Sequence, residues 1–302
     1  MTTIDDALQT LIIDAKARQC TPPTIAHYRG RITDFARWLA DQDGAIHTVD
    51  GITHHHIRQY LAHLIDRGLA SATVHTHGRT VRAFLNFCQR EGIIQESPFA
   101  RVRIGRPDRV EKLPLSETDI RRLLRASASK RDTALILTLL DTGIRASECC
   151  ALNVGDIDDG CIHIRRGKGR KARTVQIGRH TDQALAAYIE ERNIADRRSA
   201  GREPLFASAT NRNLGGRLTR SGLRRILVLL AIDANVDDVH PHKFRRTFAV
   251  WSLRNGMSIY HLQRLMGHED METLRGYLAL VQSDLREAHD AAGPVDRLLR
   301  GD

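Results

Sequence analysis

Four successive sets of apolar residues, spaced three and four apart, fill the first hundred positions, and that periodicity admits little except a bundle of helices. The sets are Leu8, Leu11, Ile12 and Ala15; Ile25, Tyr28, Ile32, Phe35 and Leu39; Ile57, Tyr60, Leu61, Leu64 and Ile65; and Val74, Val81, Phe84, Leu85 and Cys88. Each places one apolar stripe along a helix, and a stripe of that width has to be covered by another element. Breaks fall at Thr21-Pro22-Pro23, Asp43-Gly44 and Arg67-Gly68, with Ser71 placed to cap the fourth helix and Gly92 to end it. The spacing predicts a four-helix domain over residues 1–100.

From Ser97-Pro98 to Pro114 the periodicity is lost. The segment carries Arg101, Arg103, Arg106, Pro107, Arg109 and Lys112, the composition of an exposed basic connection, and the linker is placed at 101–113. A second domain then occupies 114–302. Ser116 and Asp119 have the spacing of a capping start before Ile120, Leu123 and Leu124, and a helix is expected over Lys130–Leu140. After the Thr142-Gly143 break a helix should run from Ile144 to Leu152. Cys161–Ile164 and Thr174–Ile177 alternate like the two strands of a hairpin. The remainder is helical in pattern, with a loop at 211–216, Thr219 as a cap, and helices around 220–231, 242–255, 258–266, 270–279 and 283–291. The fold class is mainly α with a small antiparallel β-sheet.

Composition narrows the functional classes. There is no run of about eighteen apolar residues, and the start, with Asp5 and Asp6, lacks the pattern of a secretory leader, so a soluble, cytoplasmic protein with no membrane contact is expected. Five cysteines, Cys20, Cys88, Cys149, Cys150 and Cys161, include no C-x-x-C pair and fit neither a disulfide framework nor a zinc site. The net charge is +10, yet residues 1–100 hold ten basic and ten acidic groups, so the excess belongs to the C-terminal part. Clustered cations of this kind suit a polyanionic partner, although a well-solvated surface has the same composition.

Five pieces between 142 and 277 carry groups suited to phosphate. In Thr142-Gly143-Ile144-Arg145-Ala146-Ser147-Glu148, Arg145 opens a helix and Glu148 follows one turn on, a spacing that by itself also describes an ordinary surface ion pair. The hairpin tip, from Arg165 to Arg173, gathers six cations (Arg165, Arg166, Lys168, Arg170, Lys171 and Arg173) around Gly167 and Gly169, without the form of a nucleotide-binding P-loop. In His240-Pro241-His242-Lys243-Phe244-Arg245-Arg246-Thr247, His242 and Arg245 share a face at the positive start of a helix. His240 and His242 suggest a metal less well, because no carboxylate or cysteine stands at ligand spacing. His268 follows Gly267, and Tyr277 follows nine residues later among apolar neighbours that suit a core aromatic equally.

Taken in order, the Arg, the Lys, the His-x-x-Arg, the Gly-His and the Tyr resemble the tyrosine recombinase, or phage integrase, family, in the manner of a Xer-like site-specific recombinase. The resemblance covers essentially the whole chain, with 1–100 similar to the SAM-like core-binding domain and 114–302 to the catalytic domain of a two-domain clamp around DNA. It implies that Arg145, Lys168, His242, Arg245 and His268 activate the phosphate and that Tyr277 is the nucleophile. It also implies cleavage and rejoining of strands through a 3′-phosphotyrosyl bond without metal, other cofactor or ATP. His242 is then the expected general base, Lys168 the proton donor to the leaving oxygen, and His268 a hydrogen-bond donor to the phosphate. The expected partner is double-stranded DNA carrying a specific recombination site, bound by a tetramer of this chain or with a related recombinase.

Arg166, Arg170, Lys171, Arg173, Arg217, Arg220, Arg224, Arg225 and Lys243 are the candidate DNA contacts, with a solvated face as the bland reading. Arg246 stands where many relatives carry a second His, and Leu278-Ala279-Leu280 follows the tyrosine where Thr-His is frequent, which leaves the subgroup open. His54-His55-His56 reads as the exposed start of a helix. With eight histidines in residues 1–100, that domain is expected to grow more cationic below about pH 6.5. The segment 283–299 suits docking on a neighbouring subunit or packing on its own domain. A type IB topoisomerase-like relaxase and a catalytically silent DNA-binding regulator of the same fold are the competing readings.

Overall fold

The apolar stripes of the first hundred residues lie on α1 (Ile4–Ala17), α2 (Pro22–Ala40), α3 (His54–Asp66) and α4 (Ser71–Arg90). The computed structural model describes residues 1–42, 44–108, 113–165, 172–194, 201–210, 213–267 and 276–278. It divides into two units, Met1–Glu111 and Lys112–Asp302. In the first unit, Leu8, Leu11, Ile12, Phe35, Leu39, Tyr60, Phe84 and Leu85 form one buried core. The stripe on α3 is narrower than its sequence suggests, since Ile65 is 61% exposed.

Caps fix the helix starts. The Thr3 hydroxyl accepts from the Asp6 amide at α1, and at α3 the Thr53 hydroxyl accepts from the His56 amide while the His56 ring accepts in return from the Thr53 amide. His56 therefore has a structural task, and burial followed by the neighbouring His55 lowers its pKa. His77 is buried on α4, bonded to the Tyr60 hydroxyl at 2.9 Å and to Arg31. Burial first, and then the Arg31 charge, push the His77 pKa down to about 4. His77 does not join the expected charging near pH 6.5, which corrects that expectation for one of the eight.

Two further expectations change. Ser71 is the first residue of α4, with Ala70 at the cap position, and its hydroxyl instead accepts from the Asp108 amide at 3.1 Å. The segment expected as an exposed linker from 101 is packed at its start. Val102 is buried, Ile104 lies against Gly78, and the Arg101 carbonyl accepts from Arg58.

In the second unit, α5 (Glu117–Ala126) opens with the Ser116–Asp119 capping box, and α6 (Lys130–Thr142) is followed by the short α7 (Ala146–Ala151). Strands β1 (Ile157–Asp158), β2 (Cys161–Ile164) and β3 (Arg173–Gln176) form an antiparallel sheet in the order β1-β2-β3, with Ile162 opposite Val175. The two-residue β1 is too short for a periodicity argument to detect. Helices α8 (Arg179–Glu191), α9 (Arg220–Ala234), α10 (Pro241–Arg254) and α11 (Ile259–Met266) follow, and Gly276–Leu278 are helical. Of these, α8 lies in sequence for which no helix bounds were expected. The expected helix 283–291, the segment 283–299 and most of 270–279 lie outside the described residues. Among the described residues no helix is long and apolar enough to cross a membrane.

Gly143 ends α6 in the left-handed conformation with φ +56°, and a Cβ there would stand 2.3 Å from a ring carbon of Phe248. Both effects penalise a side chain. Gly143→Ala is expected to destabilise the second unit by about 2 kcal/mol or more, read as a lower urea midpoint in Trp251 fluorescence in a Trp38→Phe background.

Candidate active site: arginines gathered at helix ends

The last carbonyls of a helix have no partner within it and carry the negative end of its dipole, so they attract cations. The end of α11 uses three of them. The Leu265 carbonyl accepts from Arg173 Nε at 2.9 Å, Met266 from Arg245 Nη2 at 2.7 Å, and Gly267 from Arg145 Nη2 at 3.2 Å. Arg245 is tied at its other side to the Gly143 carbonyl at the end of α6, at 2.5 Å. Three guanidinium groups from distant parts of the chain thus converge on one helix terminus.

Among the described residues a single carboxylate balances them. Glu148, 3% exposed, accepts from Arg173 through both oxygens, at 2.8 and 2.7 Å, and from the Arg145 side chain at 3.1 Å and its amide at 2.9 Å. Burial works to raise the Glu148 pKa, but hydrogen bonds from Arg173 and from the Arg145 amide, reinforced by both positive charges, hold it below its ordinary value. Arg245 is 3% exposed, and burial followed by the charge of Arg145 brings its pKa down to about 10, which leaves it protonated at neutral pH. Arg145 keeps a quarter of its side-chain surface open. Its described hydrogen bonds use two of its five side-chain N–H groups, and those of Arg245 likewise two, so each retains donors for a further anion.

Tyr277 completes the cluster. It is 5% exposed and packs with Ala249 and Val250 of α10 and Leu262 and Met266 of α11. Burial raises its phenol pKa, against the opposing pull of Arg245, Arg246 and Arg145. Tyr277 is thus a packed aromatic that also lies within the electrostatic reach of these arginines. His242 is exposed in the first turn of α10, its ring stacked at 6.4 Å on that of His240, whose Nδ1 accepts from the Lys243 amide as the helix cap. Lys168 and His268 lie outside the described residues, as do Arg166, Arg170 and Lys171.

Three of the candidate DNA contacts have partners within the protein. Arg173 spends its guanidinium on Glu148 and Leu265, with 12% of its side chain exposed. Arg217 closes the end of α7 through the Cys150 and Leu152 carbonyls and the Asn153 side chain. Lys243 Nζ is held by the Asp237 carbonyl at 3.3 Å and by Asp238 at 3.5 Å. Arg220, Arg224 and Arg225 are exposed on α9. Nothing local marks Arg173 as the main partner of Glu148, because the two are 25 residues apart and meet only in the folded chain.

A mainly helical unit with one small sheet, in which arginines meet at a helix end and a buried tyrosine packs on the same helix, defines a class of chain, and comparison gives that class its name. The phage integrase family matches residues 114–283, and the phage integrase N-terminal SAM-like domain matches residues 9–92. The chain belongs to the phage integrase family, the tyrosine recombinases. It is 32% identical over 301 residues to tyrosine recombinase XerC of Oceanobacillus iheyensis, covering 96% of this chain and 95% of that relative. Its fold is similar to a lambda integrase dimer bound to a COC′ core site, with a TM-score of 0.73 at 20% identity, covering 91% of this chain and 95% of the other. It is similar also to a lambda integrase tetramer bound to a Holliday junction, with a TM-score of 0.72 at 19% identity, covering 91% and 77%.

Removing the Glu148 carboxylate leaves buried guanidinium groups without their counter-charge. Glu148→Ala is expected to cost roughly 3–5 kcal/mol at pH 7. Because folding lowers this pKa, the contribution is present above the unfolded carboxylate value of about 4.3 and is lost as pH falls through the folded one. Urea titrations of both proteins at several pH values should therefore show the gap closing in acid.

Proposed function

We propose that this chain is a site-specific DNA recombinase that breaks and rejoins strands through a 3′-phosphotyrosyl bond to Tyr277, without a metal ion or ATP. The observation that carries this reading is the group of guanidiniums fixed by Glu148 and the end of α11 beside the buried Tyr277. Attack on a phosphodiester concentrates negative charge on the non-bridging oxygens. Arg145 and Arg245 are pre-oriented and retain free donors, so they supply the stabilisation that a metal gives elsewhere, with no reorganisation during the step. Arg173 acts behind them by holding Glu148.

The raised pKa of Tyr277 keeps it a neutral phenol at physiological pH, so the attack needs a base. His242, one turn before Arg245 on α10, is assigned that role. Lys168 is assigned the proton for the departing 5′ oxygen, and His268 a hydrogen bond to the phosphate. The covalent bond stores the energy of the cleaved one, so a 5′-hydroxyl from a second duplex can attack it and restore DNA in the reverse reaction. The partner is double-stranded DNA with its own recombination site, bound by a tetramer with the chain acting in the cytoplasm. Among the described residues, Arg220, Arg224 and Arg225 on α9 are exposed cations suited to enter a groove.

Incubating the protein in EDTA with a nicked duplex bearing its site is expected to give a slow, protease-sensitive band on a denaturing gel. Tyr277→Phe should give none while binding the same DNA within about twofold, a change worth less than 0.5 kcal/mol. Specific binding by the wild type without any adduct would transfer the chain to the silent-regulator reading.

A further inference from the structure

Two neighbouring arginines on α10 have very different surroundings. Arg245 donates to carbonyls at the ends of α6 and α11, so its place is fixed by the fold. Arg246, only 7% exposed, has no hydrogen-bond acceptor and no carboxylate in ion-pair reach among the described residues. A guanidinium taken out of water in this way is costly unless an anion arrives to meet it.

Helix geometry shows where that anion would be. Residues 242, 246, 249 and 250 lie one turn apart along a single stripe of α10, and Ala249 and Val250 form part of the surface on which Tyr277 packs. Side chains on a helix lean toward its N-terminus, so Arg246 occupies the stretch between Tyr277's apolar seat and His242. We propose that Arg246 is a positioning residue for the cleavage step, holding beside Tyr277 a positive charge that no anion among the described residues neutralises, so that the phenolate forms more readily than its burial alone allows. This role rests on the assignment of Tyr277 as nucleophile.

The other groups facing the tyrosine are Arg245 from α10 and Arg145 from the start of α7. Helix α11 presents Leu262 and Met266 to it, with His261 and Arg264 exposed. Arg145 and Arg245 are shared with Glu148 and with carbonyls, and their remaining donors are assigned to the phosphate. Arg246 is the cation of this set whose charge the described residues leave unmatched. The opposing influence of Arg246 on the phenol pKa agrees with this placement.

Single-turnover adduct formation on the nicked duplex, followed from pH 6 to pH 10, tests the role. Arg246→Gln is expected to move the rising limb of the rate upward by about one pH unit, so that cleavage on the limb falls about tenfold and recovers at high pH, while DNA affinity changes less than the rate. Arg246→Lys, which keeps the charge, should restore the wild-type limb. If circular dichroism shows that Arg246→Gln does not fold, Arg246→Met keeps the packing of the aliphatic stem and is read in its place. An unshifted limb, or a loss equal at every pH, overturns the proposal while the Tyr277 reading stands. A wild type that gives no adduct at any pH overturns both.

Discussion

Glu148 and the three carbonyls that end α11 form the contact on which the rest of the site depends. The carboxylate is nearly inaccessible, yet it stays ionised because Arg173 grips both its oxygens and Arg145 binds it through side chain and backbone. The same arginines, with Arg245, are held from the other side by Leu265, Met266 and Gly267. Each part alone would be unfavourable, since a buried carboxylate, buried guanidiniums and unpaired helix-end carbonyls all carry desolvation costs. Together they satisfy one another and leave an excess of positive charge facing Tyr277.

That excess gives the arrangement its functional direction. Among the described residues three arginines stand against one carboxylate, which leaves net positive charge for an anion to meet, and Arg246 adds a fourth positive charge on the tyrosine side. A phosphodiester is matched to such a centre, because its developing charge meets donors already fixed by the fold. The hairpin contributes through Arg173 at the start of β3. The strand that leads away from the basic tip therefore also locks the catalytic unit together.

Features set by local rules were legible in the sequence. The Ser116–Asp119 capping box, the left-handed stop at Gly143, the β2–β3 hairpin and the Thr219 cap each depend on residues a few positions apart, and each is found where the spacing places it. The Arg145–Glu148 pair was visible too, although one turn of helix cannot reveal that it is buried. What escaped were long-range matches. Arg173, Arg217 and Lys243 read as candidate DNA contacts, and the sequence did not show that Arg173 and Arg217 also bind Glu148 and helix-end carbonyls 65 to 92 residues away. Lys243 is held by the turn before its own helix. A count of basic residues cannot separate an arginine that will bind DNA from one that closes a helix.

The proposed chemistry requires that one tyrosine, set among these arginines, takes the DNA strand. The chain has five tyrosines, Tyr28, Tyr60, Tyr188, Tyr260 and Tyr277. Trapping the covalent adduct, digesting protein and DNA, and sequencing the nucleotide-bearing peptide by tandem mass spectrometry identifies the attachment atom directly. A 3′-phosphonucleotide on the hydroxyl of Tyr277 alone is expected. A nucleotide on Tyr260, the most exposed of the described tyrosines, or on any other residue, would contradict it.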